Sequence, residues 1–134
     1  MGLVGLGRAL ADGEDGADVV VVVEEVTVVR AEEYAQMMAA GMSEDVFQRQ
    51  VEGLAESLGW KVYHTHDSRR SHRGWPDLVL GRRDRVLFRE LKTMKGRATP
   101  DQKKWLELLN AAGHDAAVWR PVQWFDRTIE RELT

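Results

Sequence analysis

The sequence predicts an α/β protein, a mixed central sheet sandwiched between helices, and three observations lead there. Residues 60–66 and 77–92 alternate apolar and polar side chains, the period of a half-buried strand. Residues 43–58 and 100–112 repeat apolar side chains at helical spacing, and each run opens on a capping residue. Finally, the strand–helix–strand step after Lys92 calls for a right-handed crossover, which makes its two strands parallel neighbours. At 134 residues the chain is about one domain, long enough to bury a real core.

Composition narrows the classes. A hydrophobic fraction of 43% beside 31% charged residues is ordinary for a globular domain. Cysteine is absent, which excludes disulfides, thiolate catalysis and cysteine-based zinc sites, and fits a reducing compartment. The sequence has no run of 18 apolar residues, so a membrane span is not expected. The apolar patch from Leu3 to Leu10 carries only Arg8 as a basic residue, unlike a secretory signal, and the expected location is cytoplasmic. The net charge of −3 hides an asymmetry: residues 1–42 sum to −6, whereas 61–97 hold 11 basic and four acidic residues. A local excess of that kind suits a partner rich in phosphate, although a solvated arginine-rich surface would read the same way.

Residues 1–41 read as an N-terminal extension and 42–134 as the main domain. Residues 1–18 are rich in Gly, Ala and Asp and are expected to be poorly ordered. The valine-rich run from Val19 to Val29 has strand propensity, and it needs a partner, either the edge of the main sheet or a second copy of the chain. A helix (AEEYAQMMAAG) follows and stops at Gly41. Met42 could itself be a start, leaving 1–41 as an appendage.

In the main domain Ser43 caps a helix with Val46, Phe47, Val51, Leu54, Ala55 and Leu58 on its apolar side. Glu44, Gln48 and Glu52 form a polar row on it. A strand over 60–66 leads to DSRRSHRG, a polar loop suited to phosphate contacts. Next come two strands, Asp77 to Leu80 and Val86 to Lys92, around a polar turn at 81–84. Thr99 and Pro100 open another helix, whose apolar side is Trp105, Leu106, Leu108, Leu109 and Ala112. Ala116 to Trp119 reads as a strand, and Pro121 opens a terminal helix. His64, His66 and His72 raise the question of zinc, but no fourth ligand stands at metal spacing.

The chemistry lies in the hairpin. Alternation puts Phe88, Glu90 and Lys92 on one face of the second strand, and the reversal of the chain brings Asp77 back toward Glu90. Two carboxylates beside an ammonium suit a hard divalent cation and an anionic substrate. Each piece alone has a mundane explanation, as turn chemistry or an exposed ion pair; the joint arrangement is what singles it out.

That arrangement resembles the PD-(D/E)xK nuclease superfamily, with Pro76-Asp77 and Glu90-Leu91-Lys92 in its signature positions. More closely, SEDVFQRQV, LGWKVYHTHDSRR, GWPDLVL, LFRELKT, TPDQKKWLELLNAAG and AAVWRP resemble the virus-type replication-repair nuclease (VRR-NUC) family, over about two-thirds of the chain from Ser43 to Pro121. The resemblance implies a restriction-endonuclease-like core in αβββαβ order and a Mg²⁺- or Mn²⁺-dependent phosphodiesterase acting on DNA, with branched DNA as the candidate substrate and a homodimer as the candidate assembly. It implies Asp77, Glu90, the Leu91 carbonyl and Glu44 as metal ligands, Lys92 as the group beside the attacking water, and Gln102 as a further catalytic residue. Capping and surface roles would also explain Glu44 and Gln102. Arg69, Arg70, Arg73, Lys95 and Arg97 are candidates for contacts to the DNA backbone. A non-catalytic DNA-binding module on the same fold is the alternative.

Overall fold

Helix starts follow the capping residues in the sequence. The Ser43 hydroxyl accepts from the Val46 amide at 3.3 Å, and Thr99 and Gln102 form a reciprocal capping box. The computed structural model describes residues 8–9, 19–22, 27–66 and 72–134. Its elements are β1 (Arg8–Ala9), β2 (Val19–Val22), β3 (Thr27–Arg30), α1 (Ala31–Ala40), α2 (Glu44–Ser57), β4 (Lys61–His64), β5 (Leu78–Arg82), β6 (Arg85–Leu91), α3 (Pro100–Ala111), β7 (Asp115–Trp119), α4 (Pro121–Phe125) and α5 (Thr128–Leu133). From α2 to β7 the order is the expected αβββαβ. Among the described residues no helix is long and apolar enough to cross a membrane.

The main sheet has four strands in the order β4-β5-β6-β7. The first two pairings are antiparallel, and β6 pairs parallel with β7 across the α3 crossover, as the strand–helix–strand step predicts. One sheet face carries Leu78, Leu80, Leu87, Leu91 and Trp119, buried against Phe47, Val51 and Ala55 of α2 and Ile129 and Leu133 of α5. Each such side chain contributes about 1.5–3 kcal/mol of burial, so this face fixes the register. The opposite face carries Phe88 and Glu90 and lies toward α3, which packs along β7.

Arginines do much of the internal work. Arg89 is only 2% exposed on the α2–α5 side. It pairs with Asp115 at 2.9 Å and Glu132 at 3.0 Å, and its guanidinium sits 4.9 Å above the Trp119 ring. Arg82 donates to the carbonyls of Leu58 and Thr134, and Arg85 donates to that of Glu132. Both lie over the Trp60 ring, whose Nε1 donates to Leu133 O at 2.8 Å. Three of the basic residues in 61–97 therefore hold the fold, and the excess left for a substrate is smaller than the sequence suggests.

Several expectations are corrected. The valine-rich run is two strands rather than one: β2 and β3 pair antiparallel, Val19 opposite Arg30, and with β1 they make a separate three-stranded sheet. It does not extend the main sheet, and its two halves pair with each other. Part of 1–18, expected to be poorly ordered, supplies β1; the rest of that stretch lies outside the described residues. Helix α1 packs against α4 through buried Ala35 and Ala39. The β5–β6 turn is tighter than 81–84, because Arg82 still pairs with Arg85 and only Arg83 and Asp84 turn, Arg83 at φ 56°. The single terminal helix is two, broken at Asp126–Arg127 where Arg127 has φ 66°. Val46 and Leu108, placed on apolar helix faces, are 38% and 57% exposed.

Replacing Arg89 by Met should cost about 2–3 kcal/mol, since the packing survives but two carboxylates, both partly solvated, lose their partner. Urea unfolding followed by tryptophan fluorescence measures it.

Candidate active site

The β5–β6 register, Leu78 opposite Arg89, places Asp77 opposite Glu90 one step further along. Directly opposed residues have Cβ atoms about 4.5–5.5 Å apart, so the two carboxyls share one patch. Asp77 Oδ2 accepts from the Leu91 amide at 2.8 Å, taking up a strand donor just beyond the last paired residues. In a strand the N–H and C=O of a residue point to the same edge, so the Leu91 carbonyl also lies on the Asp77 side. Lys92 is two residues beyond Glu90 and faces the same way, its amide donating to Trp119 O at 3.1 Å.

Glu90 is 1% exposed, and its Oε2 is buried without a hydrogen-bond partner. Burial, then the hydrogen bond and negative charge of Asp77, push its carboxyl up to about 9, with Glu44 adding to the rise and Lys92 opposing it. Glu44, the first residue of α2, is raised by partial desolvation and then by Asp77, against Lys92. Glu44, Asp77, Glu90 and Lys92 thus feel one another's charge, as the sequence leads one to expect.

This donor set fits a divalent cation. A buried carboxylate oxygen with no partner, beside a second carboxylate, is relieved by positive charge. Among the described residues no three His, Asp or Glu side chains close around one point. Glu44 is therefore within electrostatic range rather than in a preformed cage, and the protein offers two carboxylates and a carbonyl, an open set of the kind that cations retaining several waters accept.

The remaining candidates are distributed unevenly. Gln102 sits in the first turn of α3, where its amide oxygen accepts from the Thr99 amide at 2.8 Å, leaving the amide nitrogen outside the cap. Gln48 donates to Glu52 at 3.0 Å, so these two satisfy each other. Arg73 is exposed and its carbonyl accepts from Trp105 Nε1 at 3.1 Å. Gly74 follows at φ +86°, and a Cβ there would lie 2.5 Å from the Asp101 carbonyl carbon, so the loop before Asp77 rests directly on the start of α3. Lys95 and Arg97 are exposed on the loop between β6 and α3, and Arg69 and Arg70 lie outside the described residues. His64 and His66 have ring centroids 4.1 Å apart, whereas His72 packs on Trp105 instead, so the three do not gather as zinc ligands. Arg120, to which the sequence draws no attention, donates to Thr93 O and Gly96 O just beyond Lys92. The only signal in the sequence is the proline after it, which holds Arg120 extended (φ −123°, ψ 155°).

The VRR-NUC domain family model matches residues 21–123, most of the chain. This chain belongs to the VRR-NUC domain family. The match begins well before Ser43, so the family pattern takes in the second half of the N-terminal extension too. A solved structure described as a VRR_NUC domain is 25% identical, with a TM-score of 0.56, over 65% of this chain and 94% of that one. A second, described as a VRR_NUC domain protein, is 24% identical with a TM-score of 0.55, over 68% and 88% of the two chains. No curated protein matches. VRR-NUC domains are nucleases with a restriction-endonuclease-like fold, which the mixed sheet and flanking helices fit, and DNA is the implied substrate.

The raised carboxyl has a measurable sign. Folded, Glu90 holds its proton up to about 9, while unfolded it releases it near 4.5, so between those values the folded chain binds more protons. In chelator, this contribution is full below the lower value and is lost as pH rises toward the upper one. Thermal melts across that window should show wild-type stability falling with pH, and Glu90→Gln, an uncharged isostere, should flatten the trend. Added Mn²⁺ should raise the melting temperature of the wild type at the alkaline end and leave Glu90→Gln unmoved.

Proposed function

We propose that this VRR-NUC domain is a divalent-metal-dependent endodeoxyribonuclease that selects DNA by its structure, as a four-way-junction resolvase does, in replication, repair or recombination in the cytoplasm. The observation that carries the reading is the register that sets Asp77 opposite Glu90 with Lys92 on the same face. Asp77, Glu90 and the Leu91 carbonyl would hold Mg²⁺ or Mn²⁺, with Glu44 contributing through charge or a bridging water. When bound, such a cation polarises a phosphoryl oxygen and lowers the pKa of a neighbouring water.

The chain's own groups supply the rest. Lys92 brings a positive charge to the face where the phosphorane develops its negative charge, and it orients the attacking water. Burial of Glu90 keeps bulk water from one side of the reacting centre and strengthens each electrostatic contact there. The Gln102 amide nitrogen is a further donor. Arg69, Arg70, Arg73, Lys95 and Arg97 position the backbone without reading sequence, which suits recognition by shape. Resolving a four-way junction takes two cuts, and a homodimer supplies two sites by symmetry.

The test is a panel of single-stranded, duplex, flap and four-way-junction DNAs with Mn²⁺. The wild type should cleave at least one, with a preference for branched forms. Glu90→Ala and Lys92→Ala should each lose about 10²–10³-fold in rate while keeping their fold by circular dichroism. Cleavage retained in both variants would remove the site assignment. Salt-sensitive binding without cleavage of any member of the panel would instead make the chain a DNA-binding module.

A further inference from the structure

Strand β6 ends at Leu91, and Lys92 follows it at the start of a loop, its amide bonded to Trp119 O. Its side chain is a flexible four-carbon stem, and a flexible cation is a poor partner for a reacting phosphate unless something limits its directions. The next four residues supply that limit. The Gly96 amide donates to Thr93 Oγ1 at 3.1 Å and to Thr93 O at 3.3 Å, folding the chain back on itself. A Cβ placed on Gly96 would come within 3.2 Å of Thr93 Oγ1 and 3.5 Å of Lys92 Cδ, so the Gly96 backbone runs beside the lysine stem and any side chain added there would meet it.

This fold-back turns two carbonyls, Thr93 O and Gly96 O, toward the end of β7. Both accept from one nitrogen, Arg120 Nη1, at 2.7 and 2.6 Å. Such charge-assisted bonds are among the stronger ones available. Arg120 is itself fixed: its amide donates to Gln123 Oε1 at 2.8 Å and Pro121 follows it.

We propose that Arg120 is the positioning residue for Lys92. By tying both ends of the Thr93–Gly96 turn, it holds Gly96 against the lysine stem and directs the ammonium toward Glu90. The turn also carries Lys95, but that side chain is exposed, and the effect of Arg120 falls on the chemical step rather than on DNA capture. The inference rests on the role given above to Lys92, and its test separates the two.

Full-length wild type, Arg120→Ala, Arg120→Lys and Gly96→Val are compared in three measurements: single-turnover cleavage at saturating DNA with Mn²⁺, DNA affinity in Ca²⁺, and acetylation of Lys92 in the metal-free protein by mass spectrometry. Lys103 and Lys104, both exposed, are internal controls for the last. Arg120→Ala should lose about 10²-fold in the saturating rate, the scale expected of a misplaced reacting group, with affinity little changed. Arg120→Lys should recover part of the rate, and Lys92 in Arg120→Ala should acetylate several-fold faster than in the wild type. Gly96→Val keeps Arg120 but puts a side chain between Thr93 Oγ1 and the lysine stem, inside the turn that Arg120 ties; it should lose rate in the same way, and it tests the turn if Arg120→Ala does not fold. A saturating rate near wild type in folded Arg120→Ala or Gly96→Val, or a loss confined to affinity, overturns the proposal. Should the wild type cleave nothing, the nuclease reading fails while acetylation still decides the positioning: equal Lys92 reactivity in wild type and Arg120→Ala overturns it.

Discussion

The pairing of β5 with β6 is the constraint on which the rest depends. Side chains on a strand alternate with a period of two, so a slip of one residue would exchange the faces. Glu90 would turn into the layer of Leu78, Leu80 and Trp119, and Leu87, Arg89 and Leu91 would turn out toward α3. The register is held from the apolar side, where Leu78, Leu80, Leu87 and Leu91 are all fully buried against α2 and α5. A hydrophobic layer thus determines the geometry of a polar one on its reverse. The bond from the Leu91 amide to Asp77 extends that control past the last paired residue.

The two sides of this sheet use charge for different ends. Arg82, Arg85 and Arg89 serve the packed side, where they stack on Trp60 and Trp119 and satisfy carbonyls of the last helix. Planar, multiply donating guanidinium groups suit such tasks better than lysine would. The face toward α3 instead keeps its negative charge concentrated at Asp77 and Glu90, with Lys92 as the near cation. The stability cost of burying Glu90 is borne at the position where a cation would be welcome.

Much of this was legible in the sequence because it is local. Alternation in 77–92 identified the hairpin and the shared face of Glu90 and Lys92, and Ser43, Thr99 and Pro100 marked the helix starts. What escaped depends on partners distant in sequence. Nothing local distinguishes Arg89, buried beneath Asp115 and Glu132, from the exposed Arg83 of the same hairpin. Arg120 acts on carbonyls 24 and 27 residues earlier, a separation that no periodicity reveals. The valine-rich run misled for another reason: an unbroken β-branched stretch has strand propensity throughout, so propensity alone cannot say where it divides.

The bare α-carbon of Gly74 has a mechanical consequence. With no room for a side chain between the loop and the Asp101 carbonyl, the segment that delivers Asp77 and the first turn of α3 are seated in direct backbone contact. Trp105 fastens the same seam by its bond to Arg73 O. The entry to β5 and the cap that holds Gln102 therefore behave as one lever. In the roles proposed for Arg73 and Gln102, a DNA strand pressing on Arg73 would load the carboxylate side and the glutamine side together, and a strand of the wrong curvature would disturb both at once.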